Sequence, residues 1–125
     1  MPSLNIVIAQ RNPATARELS DQLGVHFTHV SVATSAQELS LIMRRHQPSV
    51  AVVGLELITL DEVTALSRIF AGLTIICTHH APDERMWMAA IRAGAAEFCH
   101  PHDLAVILHA AQQASYSHPA WPIAA

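Results

Sequence analysis

Four of the nine histidines, His79, His80, His100 and His102, occur as His-His and His-Pro-His, and imidazole is the commonest side-chain ligand for zinc, copper or nickel. Neither spacing is diagnostic of a metal site, and His26, His29, His46, His109 and His118 are scattered through the rest of the chain. The expectation is therefore no resident metal and no cofactor, with a site on His79, His80, His100 and His102 as the alternative. Cys77 and Cys99 both sit in apolar runs, with no Cys-x-x-Cys spacing and no neighbouring base. They read as small core residues of a reducing compartment rather than as a redox pair. All seven basic residues are arginines, so a Schiff-base or P-loop lysine is excluded. No serine stands in a Gly-x-Ser-x-Gly elbow either, and no enzyme is expected.

The elements that position these residues follow from an alternation of short β-branched apolar runs with amphipathic stretches of helical length, the βα rhythm of a parallel sheet. Strands are predicted at Asn5 to Ala9, His29 to Ala33, Val50 to Leu55, Thr74 to Thr78 and Glu97 to Cys99. The first, third and fourth are continuously apolar, as strands covered on both faces must be. Helices are predicted over Pro13 to Leu23, Ala36 to His46 after the cap candidates Thr34 and Ser35, Asp61 to Ala71, Pro82 to Ala93 ahead of Gly94, and Leu104 to Ala114. Inward positions are Leu39, Ile42, Met43 and His46 in the second helix and Val63, Leu66, Ile69 and Phe70 in the third. The segment 115–125 has two prolines and no periodicity, and reads as a strap or tail whose Trp121 and Ile123 dock on the body.

A chain of 125 residues with 51% apolar, 14% charged and 5% aromatic residues is one aliphatic-cored α/β domain, residues 1–114, followed by the tail. A net charge of −3 with one adjacent basic pair, Arg44-Arg45, lacks the phosphate-neutralising surface that nucleic acid requires. No signal peptide and no apolar run near the roughly 20 residues of a membrane span are visible, so a cytoplasmic location is expected.

An open parallel sheet binds ligands at the carboxyl ends of its strands, here Gln10-Arg11-Asn12, Gly54-Leu55-Glu56, Thr78-His79-His80 and His100-Pro101-His102. The segments Asn5-Ile-Val-Ile-Ala-Gln-Arg-Asn-Pro13, Pro48-Ser-Val-Ala-Val-Val-Gly-Leu55, Thr74-Ile-Ile-Cys-Thr78 and Ala93-Gly-Ala-Ala-Glu-Phe98 together resemble the receiver domain of bacterial response regulators, over roughly residues 4 to 114. The resemblance implies a flavodoxin-like, doubly wound five-stranded sheet of order 2-1-3-4-5 with five helices. It also implies phosphoryl transfer to an aspartate ending strand three, assisted by a divalent cation on acidic residues ending strand one.

This sequence departs from that chemistry at nearly every position. Gln10 and Arg11 stand where the acidic pair belongs, and an amide and a cation do not ligate a hard metal. Gly54 stands at the phosphoacceptor position and offers no nucleophile. Glu56, two residues on, is expected to be a solvated or capping residue rather than a substitute acceptor. Thr78 matches the family's switch hydroxyl, with a hydrogen bond in the loop as its expected role. The strand-five lysine has no counterpart, and either His100 or Pro101 takes its place; in the second alignment the resemblance implies a cis His100-Pro101 bond. Gln10, Arg11, Gly54, Thr78 and His100 thus form a vestigial pocket, in which Arg11 either binds an anion, pairs with Glu56, or is a plain surface residue.

The positive signal lies elsewhere. From Met86 onward the only charged residues are Arg92, Glu97 and Asp103, while the remainder all fall between residues 11 and 85. Met86, Trp87, Ala90 and Ile91 on the fourth helix, with Val106, His109 and Ala110 on the fifth, are read as an interface. Receiver-like domains commonly dimerise through helix four, strand five and helix five, so a symmetric homodimer is expected. The competing reading is that the tail covers this face. The sequence reading is a degenerate receiver, resembling more loosely the N-terminal domain of Tad-type pilus localisation proteins, that binds a protein partner in bacterial signalling. A small-ligand, anion or metal sensor in the vacated pocket is its alternative.

Overall fold

A computed structural model describes residues 4–116. Its elements run β1 (Asn5–Ala9), α1 (Pro13–Leu23), β2 (His29–Ala33), α2 (Ala36–His46), β3 (Val50–Gly54), α3 (Leu60–Ile69), β4 (Thr74–Thr78), α4 (Glu84–Ala93), β5 (Glu97–Cys99) and α5 (Leu104–Tyr116). The strands form one parallel sheet in the order β2-β1-β3-β4-β5, as the sequence implied.

Period-two alternation along the apolar strands feeds two cores. Val7, Ala9, Ala51, Val53, Ile75, Cys77 and Phe98 point to the face covered by α2, α3 and α4. Ile6, Ile8, Val50, Val52, Ile76 and Cys99 point to the face where Leu19 and Leu23 of α1 and Ile107, Ala110, Ala111 and Ala114 of α5 pack. Cys77 and Cys99 therefore occupy opposite faces, since Cys77 is in register with Phe98 and Cys99 with Thr78. Burial pushes both thiols up to about 12, so neither is a thiolate near neutral pH.

The helix starts are chemically specified. Asn12 caps α1 by accepting from the Ala14 N–H, and Pro13 opens the first turn, where its missing donor costs nothing. Ser35 accepts from the Glu38 N–H to cap α2, while Glu38 reaches back to the Thr34 N–H. Thr59 and Glu62 form a reciprocal capping box at α3, and Asp83 caps α4 by accepting from the Met86 N–H.

Several boundaries differ from the sequence reading. β3 stops at Gly54 rather than Leu55, because the Leu57 and Ile58 N–H groups turn back onto the Gly54 carbonyl. The capping box starts α3 at Leu60, and the helix ends at Ile69 instead of Ala71. Ile69 is 70% exposed rather than inward, and His46 is also exposed. α4 starts at Glu84, capped by Asp83, rather than at Pro82. α5 continues through Ser115 and Tyr116, past the expected domain limit at residue 114. The described peptide bonds are all trans, so the cis His100-Pro101 bond implied by one alignment is not present. Trp121 and Ile123 lie outside the described residues.

Candidate functional site at the carboxyl ends of the strands

Parallel strands deliver their following loops to one end of the sheet, which brings Gln10 and Arg11 after β1, Gly54 and Glu56 at β3, Thr78, His79 and His80 at β4 and His100 after β5 together. At the centre, the buried Gln10 Nε2 donates to the equally buried Thr78 Oγ1 at 2.9 Å, spanning β1 to β4 across β3. Thr78 thus makes a long-range bond rather than the loop bond expected of it. With both groups desolvated, breaking this one contact leaves a buried polar atom unpaired.

Gly54 lies below that bridge. A Cβ at this position would sit 3.1 Å from Gln10 Oε1 and 3.1 Å from Glu56 Oε1. The space into which a residue-54 side chain would grow is therefore occupied by two neighbouring side chains. Glu56 departs from the sequence reading: it is half-buried and held by a neighbouring loop rather than simply solvated, and it caps no helix. The tight turn of Leu57 and Ile58 onto Gly54 folds it back, and its Oε2 accepts from the His80 N–H at 2.9 Å and contacts His80 Nδ1 at 2.9 Å. His79 Nε2 stands 3.9 Å away. Partial burial pushes the Glu56 carboxyl upward, but the hydrogen bonds from the His80 backbone and ring, with help from His79, outweigh it and hold the group below the ordinary range. Glu56 is thus a clasp between the β3–α3 and β4–α4 loops.

Arg11 is exposed and does not pair with Glu56, which His80 engages instead. With Gln10, Asn12, Pro13, Glu56 and His80 it lines an open cleft of about 620 Å³. The histidines do assemble: the ring centroids of His80 and His100 are 5.6 Å apart, and those of His100 and His102 are 4.9 Å apart. One ring nitrogen of each, however, is turned to a protein partner. His79 Nδ1 accepts from the Ala81 N–H, His100 Nδ1 accepts from the His102 N–H, and His102 Nε2 contacts Glu18 Oε1 at 2.9 Å. Among the described residues no group of three or more His, Cys, Asp or Glu side chains converges as a metal-binding set.

On the second surface the sequence singled out, α4 and α5 flank β5. Trp87 is 45% and Met88 43% exposed, Trp87 Nε1 donates to Glu97 Oε1 at 3.4 Å, and His109 is exposed. Met86, Ile91 and Val106 are half-buried, with Met86 packed against the core. Two expected interface residues are corrected. Ala90 is fully buried in the core of the α2–α3–α4 face, and Ala110 is buried with Ala111 and Ala114 on the other face. Met88, missed by the sequence reading, faces outward between Arg85 and Arg92, and no spacing signal singled it out. Among the described residues no helix is long and apolar enough to cross a membrane.

No family model and no curated protein sequence matches the chain. Solved structures do. The N-terminal receiver domain of a two-component response regulator from Bacteroides fragilis superposes with a TM-score of 0.79 at 22% identity, covering 89% of this chain and 95% of that one. The receiver domain of a DNA-binding response regulator from Colwellia psychrerythraea gives 0.80 at 13% identity, covering 90% and 98%. An orphan response regulator of H. pylori gives 0.76 at 14%, covering 90% and 95%. At these identities the likeness establishes the receiver fold.

Proposed function

We propose that this chain is a receiver-like signalling module that works without phosphoryl transfer, is not an enzyme, and acts by protein contact through α4, β5 and α5, first of all as a homodimer in the bacterial cytoplasm. Phosphoryl transfer needs an oxygen nucleophile and a cation to neutralise the transferred group. The observation that carries the reading is Gly54, with the place of its missing side chain filled by Gln10 and Glu56. Gln10 brings an amide where a hard cation asks for carboxylates, and it already binds Thr78. The Gln10–Thr78 and Glu56–His80 contacts tie the pocket's loops together without a phosphoryl group, which suits a constitutive contact module of the kind suggested by the looser resemblance to Tad-type localisation proteins. The half-exposed Trp87 and Met88 supply apolar anchors of the type that dominate interface energetics.

Incubation with radiolabelled acetyl phosphate and magnesium tests this. No label is expected to stay on the protein; retained label that disappears in Glu56→Gln overturns the reading. One observation favours the alternative of a small-anion sensor, the exposed Arg11 beside His80 in the open cleft. A tight, stoichiometric phosphate isotherm abolished by Arg11→Gln would establish it.

A further inference from the structure

Away from both regions, the helical layer on one face of the sheet leaves a gap. α3 packs tightly on α4, where a Cβ at Gly94 would come within 2.7 Å of Ser67 Oγ and Thr64 Oγ1 donates to the Ala93 carbonyl. α2 lies over β1 and β2 instead. Between α2 and α3 a groove of about 500 Å³ opens directly onto core side chains, with Leu39, Ile58, Leu66 and Phe70 on its floor. That volume is in the range of about 300–1,000 Å³ that small ligands fill.

The charges on this groove stand at its two ends. α2 and α3 each follow a parallel strand, so both run from the carboxyl end of the sheet to its amino end. Glu62, in the first turn of α3, therefore lines one end, and Arg44, in the last turn of α2, lines the other. Arg44 Nη2 donates to Ser40 Oγ at 3.4 Å, which lays the guanidinium back along the α2 wall of the groove. Among the described residues no carboxylate pairs with it. Glu62 is engaged: its Oε1 accepts from the Thr59 N–H in the capping box. The wall facing Arg44, with Ala65 and Ile69, is apolar.

We propose that this groove binds a free straight-chain monocarboxylate, its carboxylate on Arg44 and its alkyl chain laid over Leu39, Leu66 and Ile58 toward Ala36. Each part of the ligand is selected by a part of the groove. The guanidinium without an acidic partner offers a carboxylate two parallel hydrogen bonds, which a phenol or an alcohol cannot use. The hydrocarbon floor takes an apolar body whose burial supplies the affinity. Glu62 restricts the ligand to one charge, because a second anion at the far end of the chain would meet a like charge there. The stretch of α2 from Ala36 to Arg44 is about 12 Å long at about 1.5 Å per residue, a length that the chain of decanoate spans. This site stands independently of the α4 face and of the vacated pocket.

The test titrates the whole 15N-labelled chain with decanoate below its micelle range and follows the amide spectrum. Saturable shifts are expected at Ser40, Leu66 and Phe70, with the Trp87 indole unmoved. Arg44→Gln should weaken binding about fivefold, the scale of an exposed ion pair, and Ala65→Glu should abolish it. Both residues are exposed, so either variant can replace the other if one misfolds. Decanedioate should bind more weakly than decanoate, and Glu62→Gln, which keeps an oxygen for the capping box, should narrow that difference. The proposal is overturned by the absence of saturable shifts, or by shifts centred on Trp87 and Met88, which place the amphiphile on α4. Decanol binding as tightly as decanoate, or an affinity indifferent to Arg44→Gln, overturns it by removing the carboxylate's role. Groove amides that move on dilution without any ligand overturn it by making the occupant a second copy.

Discussion

The loop end of the sheet and the α4 surface make opposite use of the same fold. At the loop end several polar side chains have found partners inside the molecule, Gln10 with Thr78, Glu56 with His80 and His102 with Glu18, while Arg11 stays exposed. On α4 the apolar Trp87 and Met88 are about half exposed, beside the exposed Glu84, Arg85 and Arg92. The pocket's polar groups are largely satisfied internally, while exposed apolar surface is where an external contact gains most.

The sharpest way to break this contrast is within α4 itself. Ala90 and Trp87 are three residues apart on α4, but one is fully buried and the other 45% exposed. Ala90→Glu puts an unpaired carboxylate into the core and should cost about 4 kcal/mol or more, read as loss of the urea unfolding transition midpoint. Trp87→Glu should leave that midpoint within about 0.5 kcal/mol. Equal effects would mean that α4 does not present the face described.

The pocket bridge comes next in size. Thr78→Val keeps the side-chain shape and strands the Gln10 amide, so a loss of about 2 kcal/mol is expected in chemical denaturation. The double variant with Gln10→Leu should recover part of it, because both polar groups then go together. Additive losses in the pair would show that the two residues do not act as one contact.

The smallest effect belongs to the Glu56 clasp. Its folded carboxyl titrates below the unfolded value, so the charged form stabilises the fold above that unfolded value, and the contribution disappears as pH falls through the folded one. Glu56→Gln should therefore be less stable than wild type at pH 7 by about 0.5 kcal/mol, since the group is partly solvated. The gap should close in acid, as the pH falls below the ordinary glutamate range and through the lowered folded value. A difference that persists there would assign the clasp to packing rather than charge.

Much of this was legible in the sequence. Short β-branched runs such as Ile6-Val7-Ile8 and Val50-Ala51-Val52-Val53, alternating with stretches of helical length, read as buried parallel strands, and their order carried the receiver fold. The vacated acceptor was legible because a glycine has no side chain whatever surrounds it. Glu56 was not, because its place depends on a two-residue turn onto the Gly54 carbonyl that no spacing rule encodes. Ala90 and Ala110 failed for another reason: alanine carries almost no amphipathic signal, so in alanine-rich helices the inward stripe of α5, Ile107, Ala110, Ala111 and Ala114, could be rotated by a residue without penalty. Ile69 continued the apolar period of α3 past the point where the chain turns away at Phe70.

The central claim, contact through the α4 face without phosphoryl control, is tested most directly by sedimentation velocity across a wide concentration range. Wild type and Trp87→Glu are compared in EDTA and again with acetyl phosphate and magnesium. The account predicts a wild-type dimer of the same affinity in both conditions and a monomer for Trp87→Glu. A wild-type monomer that dimerises only with acetyl phosphate and magnesium would contradict it.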